Sequence, residues 1–189
     1  MEDKEIPLLI AHIERSLGKM DDYRKDTDDK NPFILVTAYK NQPCEDCTTL
    51  VTLGLSNHLL NRDGRDYRME LILAFQNSVL YYDAVSLLMS FGQYVITKHK
   101  ALLRGDVIGP ATPIMPDIKM TALYASCPTI FDDDLAVFEE SDPPTIFVWL
   151  LPIYTKEAEF IYENGWSIFE DILIEKDPNL LDFHRESIV

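Results

Sequence analysis

A chain of 189 residues with 47% hydrophobic and 26% charged content can bury a substantial core without staples, which excludes wholesale disorder. Its formal charge of −15 repels phosphate backbones and acidic membrane surfaces, which disfavours direct nucleic-acid binding and leaves a basic partner or plain solubility as the readings. Three cysteines make no disulfide framework, no stretch approaches the roughly 20 apolar residues of a membrane span, and the acidic opening Met1-Glu2-Asp3-Lys4-Glu5 lacks the character of a signal peptide; a reducing, cytoplasmic setting is the expectation.

Ile6, Leu9, Ile10, Ile13 and Leu17 recur at helical spacing, so residues 3–17 are expected to form an amphipathic helix that stops at Gly18. Asp21 to Asn31 is a polar connector, and Phe33 to Tyr39 reads as a strand entered at Pro32. A turn-rich loop carries Cys44-Glu45-Asp46-Cys47, followed by a strand over Thr49–Leu55 that closes at Gly54. Asn57 to Asp66 reads as a loop with Asp63-Gly64 as its turn. In Tyr67 to Phe75, Met69, Leu71, Leu73 and Phe75 alternate with Arg68, Glu70, Ile72 and Ala74, the period of a strand. Three strands joined by short loops imply a mainly antiparallel arrangement.

Asp83 is a candidate N-cap for a second amphipathic helix, with Ala84, Leu87, Leu88, Phe91 and Val95 as its buried stripe. Residues 105–116 are rich in Gly and Pro around the apolar pair Val107-Ile108; Lys119–Ala125 and Thr145–Leu151 then read as strands. Between those strands, Asp132, Asp133, Asp134, Glu139, Glu140 and Asp142 meet no basic residue. The last strand runs directly into a helix that stops at Asn164-Gly165, which puts Tyr154, Glu157 and Glu159 where a core strand meets a helix. Ser167-Ile168-Phe169-Glu170 has the capping-box pattern for a further helix. No repeat or linker divides the chain, so one α+β domain over residues 1–189 is expected.

The chemistry-bearing motifs are weak taken singly. Cys44 and Cys47 could be redox-active or half a zinc site, with Cys127 and His58 as conceivable partners. Yet Glu45 and Asp46 oppose a thiolate, a strand follows rather than a helix, and no second ligand pair matches; two reduced thiols in a loop are expected. Ser56 lacks a nucleophile elbow, since the run is Gly54-Leu55-Ser56-Asn57-His58. His12, His58, His99 and His184 are scattered, with His12 beside the apolar stripe of the first helix. Asp132-Asp133-Asp134 lacks the spacing and turn glycine of an EF-hand. There is no phosphate loop or dinucleotide fingerprint, so no cofactor is expected. A solvated loop is the plainer reading of those aspartates, and the acidic run over 132–142 has another, as a surface for a basic partner, where charge complementarity selects and speeds association.

Three ordered blocks resemble the suppressor-of-fused domain. They are Thr52-Leu53-Gly54-Leu55-Ser56 with Glu70-Leu71; the helix after Asp83 followed by Gly105-Asp106-Val107; and Pro152-Ile153-Tyr154-Thr155-Lys156-Glu157 with Gly165, closing on Asp182 and Arg185-Glu186-Ser187. The resemblance spans about residues 50–188 and leaves the segment with Cys44 and Cys47 unmatched. It implies a mixed, largely antiparallel sheet flanked by helices. It also implies the single-domain bacterial branch, immunity proteins that bind and neutralise a toxin without catalysis; the acidity of the chain is compatible with a basic toxin such as a nuclease. The alternative is a regulatory or scaffold protein that sequesters an endogenous basic protein; a third reading is a hydrolase or metal enzyme at the acidic junction. The motif residues Gly54, Leu55, Ser56, Glu70, Pro152, Tyr154, Glu157, Gly165, Asp182 and Arg185 are expected to be structural, with Arg185 pairing a carboxylate at the strand–helix junction. Partner binding is expected at Asp132, Asp133, Asp134, Glu139, Glu140 and Asp142.

Overall fold

The computed structural model describes residues 5–26 and 31–189; residues 3 and 4 of the expected first helix, and the side chain of Ile6, lie outside the described part. In chain order the elements are α1 (Glu5–Leu17), β1 (Asp22–Lys25), β2 (Leu35–Lys40), β3 (Cys47–Leu53), a 3₁₀ turn (Leu55–Asn57), β4 (Leu60–Arg62) and β5 (Arg65–Gln76). There follow α2 (Tyr81–Lys98), β6 (Val107–Ile108), β7 (Ala122–Ser126), a second 3₁₀ turn (Asp133–Ala136), β8 (Val137–Phe138), β9 (Thr145–Ile153), α3 (Thr155–Asn164) and α4 (Trp166–Lys176).

The sheet runs β1-β2-β3-β5-β9-β7-β6, with β4 pairing β5 and β8 pairing β9. Only β5 and β9 pair in parallel, in the register Glu70 opposite Phe147; the other pairs described are antiparallel. The expected mixed, largely antiparallel sheet is therefore present.

Helices cover both faces. On one face Ala84, Leu88, Phe91 and Val95 of α2 pack with Met69, Leu71, Leu73 and Phe75 of β5 and Val148 and Leu150 of β9. On the other, Leu9, Ile13 and Leu17 of α1, Ala158 and Ile161 of α3 and Phe169 of α4 share a cluster with Ile72, Phe147, Trp149, Leu151 and Ile153. Alternate residues of β9 thus enter different cores, which is why a strand buried on both sides reads as one unbroken apolar run. Among the described residues no helix is long and apolar enough to cross a membrane.

Several local expectations change. The polar connector holds a strand, β1, whose partner is β2; its residues are mostly exposed, so it carries no apolar period. The loop 57–66 contains β4, closed onto β5 around Asp63 and Gly64, both at positive φ. Asp83 lies in the first turn of α2, whose cap is Leu80. Helix α4 starts from Gly165, leaving Ser167 inside it, and Glu170 faces Arg104 and Tyr124 instead of capping. Cys44 and Cys47 are joined as a disulfide, not two reduced thiols, their Cα atoms 5.5 Å apart. A four-residue turn with a hydrogen bond from Cys47 N–H to the Cys44 carbonyl brings the side chains together.

Candidate functional site

The first motif block wraps a buried carboxylate. Glu70 is 0% exposed. The Oε1 atom accepts from Gly54 N–H at 3.0 Å, Ser56 N–H at 3.1 Å and the Ser56 hydroxyl at 2.7 Å. The Oε2 atom accepts from the Thr52 hydroxyl at 2.6 Å, and Thr52 Oγ1 in turn accepts Leu71 N–H at 2.8 Å. Burial pushes the Glu70 carboxyl up to about 7, against the pull of Thr52, Ser56 and Gly54. Ser56, itself fully buried, donates its hydroxyl to this carboxylate.

Gly54 makes the turn possible. Its φ is +104°, and a Cβ there would stand 2.8 Å from the Phe33 carbonyl oxygen. Gly165 also has positive φ, +89° with ψ 154°, but open space around it. Gly54→Ala should therefore cost about 2 kcal/mol or more, and Gly165→Ala about 1–3 kcal/mol from backbone strain alone. Thermal denaturation of the two variants checks this, and equal tolerance of both to wild-type level would contradict it.

The third block closes the strand–helix junction. Glu157 is 0% and Arg185 8% exposed. Arg185 Nη1 lies 2.6 Å from Glu157 Oε1 and Nη2 3.0 Å from Oε2, a bidentate pair. The same carboxylate accepts Tyr154 N–H at 2.8 Å and Ile188 N–H at 3.1 Å. Thus Glu157 caps α3 and anchors the C-terminal segment at once. The Tyr154 hydroxyl donates to the Arg185 carbonyl. Arg185 also reaches the Pro152 carbonyl at 3.5 Å. Asp182 sits at the turn before it, accepting His184 N–H at 2.9 Å and, through its carbonyl, Arg185 N–H at 3.2 Å. Glu70 belongs to a separate network. The wholly buried junction carboxylate has both oxygens bonded inside the protein.

The middle block is ordered by Asp106, which takes Arg62 at 2.6 and 2.9 Å and Leu103 N–H at 2.9 Å. Burial raises the Asp106 carboxyl, but the Arg62 bonds and charge, the Leu103 N–H and the Lys100 charge together outweigh it and hold the group below the usual range.

All six residues of the acidic run are exposed: Asp132, Asp133, Asp134, Glu139, Glu140 and Asp142. Leu135, Phe138 and Ser141 between them are buried and pin the segment to the domain. Leu135 and Phe138 belong to the core under α1. A cleft of about 410 Å³ opens there, between this segment and α1. Its α1 wall carries His12 and Arg15, which the scattered histidine pattern did not single out; their three-residue offset on one helix face was the available signal. Among the described residues no three His, Cys, Asp or Glu side chains group as a metal site.

The family model for suppressor of fused protein (SUFU) matches residues 30–186. A curated relative, immunity protein YqcF of Bacillus subtilis (strain 168), is 26% identical over 165 residues, covering 86% of this chain and 85% of its own length. Among solved structures, a suppressor of fused homolog from Neisseria gonorrhoeae FA 1090 superposes with a TM-score of 0.78 at 16% identity, over 97% of this chain and 96% of that one. A chain of the Sufu–Fu complex superposes with a TM-score of 0.72 at 13% identity, over 97% and 91%. At those identities the two structures speak for the fold.

Proposed function

The chain belongs to the suppressor of fused protein family, and from that premise we propose that it is an immunity protein, one that neutralises a cognate toxin by direct, non-enzymatic binding. The observation that carries this reading is the relative named as an immunity protein, aligned over 86% of this chain. The Sufu–Fu complex, a family-fold chain bound to a protein partner, is in keeping with action by binding. A charge of −15 suits a basic toxin, such as a nuclease whose surface is built for phosphates.

In this reading the motif residues hold one domain together. Gly54, Leu55, Ser56 and Glu70 fix one turn; Pro152, Tyr154, Glu157, Gly165, Asp182 and Arg185 fix the strand–helix junction and the C-terminal segment. Recognition falls to the acidic run over 132–142. That division leaves the contact surface free to vary with the toxin while the fold stays constant.

The test is co-expression in a bacterial host with the protein encoded beside this one. Growth should stop when the neighbour is expressed alone and resume when both are present. Reversing Asp132, Asp133 and Asp134 to lysine should weaken the complex by about tenfold or more at low salt and flatten its salt dependence. A non-toxic neighbour, or a complex indifferent to salt and to the reversal, would sink the reading. Co-purification of an endogenous basic protein in place of a toxin would favour a sequestering regulator.

A further inference from the structure

We infer that Cys44 and Cys47 form a reversible thiol–disulfide site, opened by a dithiol at Cys44 Sγ, whose state sets how firmly the β2–β3 loop holds the turn from β5 into α2. The inference goes beyond the antitoxin reading and does not depend on it. The two cysteines differ in access. Cys44 is exposed, whereas Cys47 opens β3 and is 1% exposed. An incoming thiolate therefore meets the Cys44 end of the bond, and Cys47 is the sulfur displaced.

One thiolate of the dithiol attacks Cys44 Sγ. The Cys44–Cys47 bond breaks, and its electron pair leaves on Cys47 Sγ, which takes a proton. The second thiolate then attacks the reagent's own sulfur in the mixed disulfide, and Cys44 departs with that electron pair and is protonated. Two electrons and two protons have passed to the cysteines, and the dithiol has become an internal disulfide.

The loop survives this opening, because other bonds also hold it. Asn41 N–H donates to the Cys47 carbonyl at 2.8 Å and Cys47 N–H to the Cys44 carbonyl at 3.2 Å. The Thr49 hydroxyl donates to the Gln42 carbonyl at 2.7 Å. Cysteines three positions apart also close a short loop, which removes less chain entropy than a long one. What the disulfide controls is local. Asp46, between the two cysteines, has φ +61°, in the left-handed region that a non-glycine residue enters at a cost. Its carbonyl accepts Asn77 N–H at 2.8 Å, and the Thr48 hydroxyl donates to Asn77 Oδ1 at 2.8 Å. Asn77 lies between β5 and α2. The closed disulfide keeps Asp46 in that conformation and its carbonyl aimed at Asn77. With the bond open, Asp46 can leave the left-handed region, and the Asn77 N–H loses its acceptor part of the time.

The full chain is oxidised with diamide, which takes up the two electrons and two protons, and half of it is then reduced with dithiothreitol. Both halves, freed of excess reagent, are alkylated with iodoacetamide without denaturant and weighed by mass spectrometry. The free, exposed Cys127 is the internal control. The oxidised protein should be labelled at Cys127 alone, and the reduced protein at Cys44 as well. Amide exchange read by NMR should be about tenfold faster at Asn77 in the reduced form. Shifts should stay within residues 41–49 and 76–79 and leave the surroundings of Glu70 and Arg185 unchanged. Cys44→Ser, a change at an exposed position, should show the fast Asn77 exchange with or without dithiothreitol. Labelling of Cys44 after diamide, equal Asn77 exchange in the two forms, or global unfolding on reduction would overturn the inference. Each readout is taken without a partner, so its failure leaves the antitoxin reading standing, and a failed growth rescue leaves the disulfide site untouched.

Discussion

Arg185→Ala should lower folding stability by about 3–5 kcal/mol, the usual cost of removing one partner from a buried ion pair. The substitution leaves Glu157, wholly buried, with two backbone N–H donors but no countercharge. It also removes the side-chain tie between the C-terminal segment and the junction, leaving that segment to Phe183 and Ile188 in the two cores and to the Tyr154 hydroxyl, which still bonds the carbonyl of residue 185. Urea denaturation of wild type and variant measures the loss. Arg185→Lys should recover only part of it, because an ammonium cannot reproduce the bidentate geometry at 2.6 and 3.0 Å. The double variant Glu157→Gln/Arg185→Ala should lose less than the sum of the single losses, since the stranded charge is then gone. A loss under about 1 kcal/mol for Arg185→Ala would mean that the pair contributes nothing net. The Arg185 and Glu157 roles would then have to be sought at the surface.

How far the residues alone led depends on distance along the chain. Strands β5 and β9 and helices α1 and α2 were legible because their apolar periods extend over several residues. Strands β1 and β4, four and three residues long, have no room for a period and exist by pairing with β2 and β5. The capping box foreseen at Ser167 and Glu170 has a counterpart thirteen residues earlier: Glu157 takes Tyr154 N–H. The Ser167 pattern failed because Gly165 already separates the two helices and Glu170 meets Arg104 and Tyr124 from 66 and 46 residues away. Glu70 stood out only as a polar motif residue expected to be structural. What buries it is the turn at Gly54–Ser56, whose N–H groups converge from 14 and 16 residues away, and no local pattern announces that. The acidic run was visible as charge, but the α1 wall that turns it into a cleft comes from more than a hundred residues upstream, a relation that only the fold creates.

Glu70→Ala should cost about 4 kcal/mol or more, because it strands the Gly54 and Ser56 N–H groups and two hydroxyls in a dry interior, each orphan worth about 1–3 kcal/mol. Glu70→Gln separates charge from shape. Its amide oxygen can keep the Gly54 and Ser56 donors, and its NH₂ can donate to Thr52 Oγ1 if that hydroxyl turns, so it copies the protonated acid. Burial and the four donors pull the carboxyl in opposite directions, and burial wins, bringing it from 4.5 to about 7. Since the folded value exceeds the unfolded one, the residue's contribution to stability is complete below about 4.5 and is lost as pH rises through about 7. A displacement of that size corresponds to about 3 kcal/mol. Glutamine does not titrate, so the stability of Glu70→Gln relative to wild type should improve by about that amount between pH 4.5 and pH 8. Urea denaturation across that range, wild type beside variant, reads it directly. If the difference stays flat or moves the other way, the converging donors hold Glu70 ionised throughout, and the Gly54–Ser56 turn is an anion cradle built for a permanent charge.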